Sequence, residues 1–461
     1  MALSQDWRQR VVVLCAMYVA QGVPWGFMVT ALLAYLTKRG LGDADAGWLA
    51  GVVLMPWTFK LVWGPVIDTF TIPSLGRRRP WIIGSQFMMA VTLLGILWLG
   101  DFERYLGVDS GGARVDPQFV WLLGCMFFVH NCFASLQDVS TDALAIDVLL
   151  PAEQGRVNGL MWGSKLLGKA AGAVVMALVM SKGDAIHPGW GIPAAVLVQF
   201  LLLLGIMMFP LLMLERPGDK RFPWSRPHGT ASAAAGTTPV AGIRNPKFLL
   251  RDLMRGFSVL TTSALFVYGI FHVVGWGVVE IITKTLYTQQ LGWTSERFSY
   301  VTGAAVLTEL AGALAGGYAA DRWGRRKVML IGFGSYGALH MLFGSLPALW
   351  DQSWFTAGYL ILNPGALATG SVGFLSMAMR ISWTKAAATM FTIYMTLSNF
   401  GHVAGNLLVG RLRDDLGLSY EASFWVAGLI TIAPLALLAA VNPARVDEQR
   451  ALQTTPSDPI T

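Results

Sequence analysis

Gly317-Tyr318-Ala319-Ala320-Asp321-Arg322-Trp323-Gly324-Arg325-Arg326-Lys327 lies between two long apolar runs. Gly317 and Gly324 permit a tight turn with little side-chain bulk. Asp321 can cap or pair, and Arg322, Arg325, Arg326 and Lys327 crowd four cations into a short connector. A water-soluble chain rarely needs that arrangement. A membrane protein does, because Lys and Arg hold a short loop on the cytoplasmic side. A looser copy lies upstream: Gly64-Pro65-Val66-Ile67-Asp68, a spacer, then Gly76-Arg77-Arg78-Arg79. Each copy follows the second apolar segment of its half of the chain.

The composition agrees. Of 461 residues, 54% are hydrophobic and only 13% are charged, against about 25% charged in a globular domain. Repeated uncharged runs of about 20 residues are the length of a spanning helix, which excludes a large soluble α/β enzyme. The net charge of +7 follows topology, so no nucleic-acid partner is expected. Cys15, Cys125 and Cys132 sit inside apolar runs and read as small core residues. They show no metal-ligand spacing, and neither a metal nor a cofactor is expected. The first apolar run passes any signal-peptide length without a cleavage site before Gln21, so it is expected to remain as a helix.

Twelve segments are expected to cross the bilayer, at 10–37, 45–68, 80–100, 117–148, 154–181, 189–214, 256–289, 295–319, 327–346, 353–379, 385–411 and 420–441. They divide into a six-helix half (1–214), a polar linker (215–255), a second six-helix half (256–441) and a tail (442–461). With both termini cytoplasmic, and residues at the ends of the spans counted with the adjoining loops, 22 Lys and Arg fall on the inner side and 8 on the outer. That bias fixes the orientation. Internal duplication supports the division, since Tyr18…Trp25-Gly26 in the first span echoes Tyr268…Trp276-Gly277 in the seventh.

Eight ionisable residues lie well inside these spans: Lys60, Asp138, Asp142, Lys165, Lys169, Glu280, Lys284 and Glu309. Each costs about 2.5–3.5 kcal/mol on the insertion scale if it faces lipid, so each is expected to face protein or a wetted cavity. Asp138 and Asp142 share one face of the fourth span, as do Lys165 and Lys169 on the fifth, and Glu280 and Lys284 form an i,i+4 pair. Static neutralisation is one reading. The other is function. Two carboxylates one turn apart repel, which favours a proton on one of them, and a carboxylate that takes and releases a proton is what proton coupling needs. Glu309 is the competing coupling site in the second half. Lys60, Lys165 and Lys169 can pair with these acids or receive a substrate carboxylate or phosphate.

Uncharged polar residues mark a cavity less specifically. Gln21, Gln137, Asn131, Asn158, Asn363, Asn399 and Asn406 can bond a ligand or a neighbouring helix. Trp25, Trp57, Trp162 and Trp276 can stack on sugar rings. His130, His272 and His402 read as packed residues before proton carriers. Gly22 and Pro24, and Asn363-Pro364-Gly365, are expected to weaken or kink their helices. Candidate solute contacts are therefore Gln21, Trp25, Lys60, Gln137, Lys165, Lys169, Trp276 and Asn399.

The twice-placed G-x-x-x-D-R-x-G-R-R pattern resembles the loop signature of the major facilitator superfamily, where it joins helices 2 and 3 and again helices 8 and 9. The resemblance implies an all-α integral membrane fold of twelve transmembrane helices in two pseudo-symmetric halves, with a solute cavity between them. In that family the loop arginines bind an acid at the end of the fourth helix and hold the inner side closed. This implies a conformational latch of Asp68, Arg77, Arg78 and Asp147, with Asp321, Arg325 and Arg326 on the other half.

Further stretches resemble the AmpG-type muropeptide permeases and the related acetyl-CoA transporters. They are Ala20-Gln21-Gly22-Val23-Pro24, Pro56…Lys60…Trp63-Gly64-Pro65…Asp68, Leu75-Gly76-Arg77-Arg78-Arg79-Pro80-Trp81 and Leu136-Gln137-Asp138-Val139…Asp142, with Thr389 in the second half. The resemblance implies a monomeric, proton-coupled symporter of the bacterial inner membrane. It would import an amphiphilic, N-acetylated or anionic solute such as a muropeptide. Siderophores, acetyl-CoA-like metabolites and export are the alternatives on the same fold. A membrane enzyme or assembly factor is remote, because no nucleophile–base–acid set or metal-ligand spacing is present.

Overall fold

The computed structural model describes residues 3–70, 72, 74–100, 102–107, 115–149, 151–222, 224–225, 246–382 and 387–454. Among the described residues the secondary structure is helical, without strands. Among the described residues eleven helices are long and apolar enough to cross a membrane. They are α1 (Trp7–Lys38), α2 (Asp43–Gly64), α3 (Arg79–Leu99), α4 (Pro117–Ala145), α5 (Leu160–Ile186), α6 (Gly191–Leu212), α7 (Leu260–Gln290), α8 (Ser295–Ala320), α9 (Arg325–Ser345), α10 (Ser353–Ile381) and α12 (Tyr420–Ala440). The remaining expected span holds helix α11 (Ala387–Gly410), which begins beside residues 383–386, outside the description.

Local chemistry sets several helix starts. Asp6 accepts hydrogen bonds from the Arg8 and Gln9 amides at the head of α1. Asp116 accepts from Gln118 at α4, and Ser419 from Ala422 at α12. Such caps satisfy amides that the helix itself leaves without acceptors. Inside α1, Pro24 supplies no N–H, and the winding loosens to a π-type turn over Phe27–Leu32. The irregularity expected around Gly22 and Pro24 is therefore present just beyond them. Helix α10 runs through Asn363-Pro364-Gly365 without interruption. There the glycine serves packing, since a Cβ on Gly312 of α8 would lie 2.1 Å from the Gly365 carbonyl oxygen.

The chain divides into two compact units. The first comprises Met1–Ala234, Ile281–Val306 and Val409–Leu416, and the second Ala235–Glu280, Leu307–Leu408 and Gly417–Thr461. Polar contacts explain why two late segments join the first unit. The Gln289 side-chain amide donates to the carbonyls of Thr37 (2.9 Å) and Leu41 (2.6 Å). Buried Asp43 accepts from the Thr285 hydroxyl and, at 2.8 Å, from Arg413.

Within the first unit, α1 and α5 touch backbone to backbone. A Cβ on Gly22 would lie 2.3 Å from the Lys165 carbonyl oxygen, and one on Gly172 would lie 2.1 Å from that of Val23. Lipid tails supply no hydrophobic drive between helices, so small residues and close packing hold such seams. The second unit repeats the device between α7 and α11, where a Cβ on Gly277 would lie 2.4 Å from the His402 carbonyl oxygen. Its core is aromatic and tight, with Tyr268, Phe333, Phe374, Met377 and Tyr394 buried together.

Candidate functional site

The α1–α5 seam brings Lys165 to the centre of the first unit. Its ammonium lies 3.3 Å from one carboxylate oxygen of Asp138 on α4. The ammonium of Lys60 on α2 pairs with the other oxygen. Asp138 is 2% exposed and Lys165 6%, whereas the Lys60 side chain is 25% exposed and is the reachable cation. The triad carries one net positive charge. Asp142, one turn along α4, accepts a hydrogen bond from the Tyr18 hydroxyl. Among the described residues no cation is paired with Asp142. Two carboxylates on one helix face thus receive different treatment: one is clamped by two ammoniums, the other is held by a phenol.

Aromatic rings wall this cluster. Trp57 lies 4.6 Å from the Lys60 ammonium and 4.5 Å from that of Lys165, measured to the ring centre. Trp162 and Tyr18 lie 5.7 and 5.5 Å from Lys165, and Trp25 lies 4.7 Å from Lys169. At such distances a ring face attracts a cation. Asn131 fixes Trp57 by accepting from its indole N–H at 3.2 Å. The Gln21 amide donates to Gln137 at 2.6 Å, and Gln137 donates to Gln86 at 3.3 Å. This buried amide layer sits beside the charged one, with Gln21 and Gln137 facing each other.

In the second unit Trp276 stacks on His402, with ring centres 3.8 Å apart. The imidazole Nε2 of His402 lies 2.7 Å from a Glu280 carboxylate oxygen. The Trp-Gly duplication therefore has a structural counterpart: each Trp-Gly pair sets a ring against a nitrogen-bearing side chain on the partner helix. Glu309 and Asn399 are half-buried in this unit. His130 lies 3.0 Å from the Met89 carbonyl oxygen, and His272 is packed among Tyr268, Phe333 and Phe374. Both are built into the core.

At the loop motifs, Arg78 donates to Asp147 at 3.0 Å, bringing together two of the residues expected there. Arg77 is half-buried. The side chains of Asp68 and Asp321, like those of Asn158 and Lys385, lie outside the described residues. Arg325 donates to Ser376 at 2.6 Å, and Arg326 is exposed. Sequence reading missed the roles of Arg79 and Glu215. The Arg79 guanidinium donates to the carbonyls of Pro210 (2.6 Å), Leu211 (2.6 Å), Lys220 (2.9 Å) and Arg221 (2.9 Å). It closes the carbonyl end of α6, where no helical partners remain. Glu215 accepts from the backbone amides of Arg78 (2.9 Å) and Arg79 (3.2 Å) at the amide end of α3.

The fold matches solved transporters along nearly all of its length. A D-xylose-proton symporter superposes with a TM-score of 0.68 at 13% identity, covering 95% of this chain and 99% of that one. A nucleoside transporter gives 0.66 at 13% identity, covering 94% and 100%. A bacterial homologue of the human drug peptide transporters gives 0.67 at 13% identity, covering 98% and 100%. Residues 265–459 match the model of the Major Facilitator Superfamily, and residues 10–159 that of Acetyl-coenzyme A transporter 1. The second half of the chain therefore resembles the major facilitator superfamily, and the whole chain shares the fold of these transporters, as the paired loop motifs led us to expect.

Among particular proteins, it is 22% identical over 430 residues to the anhydromuropeptide permease of Escherichia coli K12, covering 91% of this chain and 78% of that one. An uncharacterized protein of Haemophilus influenzae is 22% identical over 463 residues, covering 97% of this chain and 98% of that one.

Proposed function

We propose that this transporter is a proton-coupled symporter of the bacterial inner membrane, importing an amphiphilic, N-acetylated or anionic solute such as a muropeptide. The observation that carries this reading is the buried Lys60–Asp138–Lys165 triad walled by tryptophan. A solute carboxylate competes with Asp138 for Lys60, the more accessible ammonium. Trp57 and half-exposed Trp162 offer faces to sugar rings and N-acetyl groups. Asp142 carries the proton, because a single phenol holds it while two ammoniums keep Asp138 charged. Glu309 is the competing coupling site. Lys169 with Trp25, and Trp276 and Asn399 in the second unit, extend the proposed solute contacts.

The cycle is alternating access between residues 1–214 and 256–441, joined by the 215–255 linker, with both termini and the 442–461 tail in the cytoplasm. Arg78 and Asp147 form the proposed inner latch, with Arg77, Asp68, Asp321, Arg325 and Arg326 as its other members. The working form is a monomer in the bilayer, with the solute and protons as its partners.

A second reading, an acetyl-CoA-like solute, is favoured by one observation. The acetyl-coenzyme A transporter model covers residues 10–159, which include Lys60 and Asp138. Proteoliposomes under an inward proton gradient decide between them. Uptake of labelled anhydro-muropeptide above that of a siderophore or acetyl-CoA is expected. Uptake of either rival without the muropeptide would remove the first reading.

A further inference from the structure

The second unit contains a polar cavity whose lining takes in Arg325 and Arg326 of the proposed latch but extends well beyond them. It encloses about 560 Å³ where the loop before α9, the end of α10 and the chain after α12 meet. Arg325, Arg326, Lys327, Arg380 and Arg445 line it together with Trp323. Asp447 pairs with Arg380 at 2.7 Å on the rim. Among the described residues no carboxylate is paired with Arg326, Lys327 or Arg445.

Arg326, Lys327 and Arg445 converge on one cavity beside Arg325 and the Asp447-paired Arg380 and repel each other, an arrangement that an anion relieves. Guanidinium groups are matched to the geometry of phosphate oxygens. The surroundings say where that phosphate comes from. The cavity lies at the ends of spanning helices, and Trp323 is 55% exposed beside it. On α9, Leu330 and Ile331 continue as exposed apolar surface, and on α10 Met379 does the same. A free anion has no use for an apolar wall, whereas acyl chains do.

We propose that this cavity binds the phosphate of an anionic glycerophospholipid, with its acyl chains along the exposed face of α9. The site is separate from the Lys60–Asp138–Lys165 cluster, and its occupancy does not depend on which solute is carried.

The test is native mass spectrometry of the full chain in detergent, titrated with phosphatidylglycerol, phosphatidylcholine or inorganic phosphate. Wild type is expected to retain phosphatidylglycerol in preference to phosphatidylcholine. Lys327→Gln with Arg445→Gln removes two exposed cations. At about fivefold per basic residue near a lipid surface, it should weaken retention about thirtyfold without lowering the melting temperature of lipid-free protein. Equal retention in that variant overturns the site. Displacement of the lipid by an equal concentration of inorganic phosphate overturns the lipid assignment. Lys327→Arg with Arg445→Lys keeps both charges and should retain the lipid, so loss of binding there also counts against the proposal.

Discussion

Lys165 reaches Asp138 across 3.3 Å from a turn of α5 whose backbone touches α1 at Gly22. The charge pair and the glycine seam are one arrangement. The seam brings α5 against α1, and the triad then places charge in the membrane interior where protein, not lipid, surrounds it.

The first prediction concerns the triad itself. Asp138→Asn removes the acid and leaves two ammoniums facing each other. Breaking a buried pair in this way costs about 3–5 kcal/mol in measured proteins. The variant should melt at a clearly lower temperature in detergent, and Asp138→Asn with Lys165→Gln should recover part of the loss. An unchanged melting curve for Asp138→Asn would show that the pair adds nothing to the fold.

The seam makes a sharper demand. Gly172→Val would press side-chain carbon into the Val23 carbonyl oxygen, since even a Cβ falls at 2.1 Å. The two backbones must part, and Lys165 and Lys169 move with α5. We expect loss of monodisperse protein on size exclusion. Gly163→Ala on the same helix meets nothing within 4 Å and should behave as wild type. Equal behaviour of the two variants would remove the seam from the account.

Much of this architecture was legible in the residues. The paired loop motifs, the apolar runs and the charge bias mark the spanning segments, because each depends on local sequence alone. The membership of the charged cluster was also visible, since any ionisable residue in a span needs shelter. Its pairing was not. Helical spacing relates Glu280 to Lys284 but gives no hint of His402, which lies 2.7 Å from Glu280, because the rotation of α7 against α11 decides what it faces. Arg79 looked like one more loop cation. Its role appears only when the carbonyl end of α6 arrives beside it. Asp43 gave no signal at all, since Thr285 and Arg413, which bond to it, lie more than 240 residues away.

Arg79 gives the third prediction. Its guanidinium satisfies carbonyls from two separate stretches, Pro210–Leu211 and Lys220–Arg221. Lysine has three donors on one nitrogen and cannot span both. Arg79→Lys should therefore leave buried carbonyls without donors, at about 1–3 kcal/mol for each such group. A lower melting temperature than for Arg77→Lys is the expected result, and equal values would speak against the closing role.

The last prediction separates proton coupling from solute binding. In the proposed cycle Asp142 takes the proton and Tyr18 only positions it through its hydroxyl. Asp142→Asn cannot accept a proton, yet its amide still fits between Tyr18 and the Asp138 cluster. Counterflow exchange of solute across proteoliposomes needs no net proton movement, so this variant should retain it. Accumulation against a solute gradient should fall at least about tenfold, which corresponds to about 1.4 kcal/mol of lost driving energy. Tyr18→Phe keeps the carboxylate and should preserve accumulation while altering its pH profile. If Asp142→Asn still concentrates solute under a proton gradient, the proton rides elsewhere, and Glu309→Gln becomes the variant to measure by the same assay.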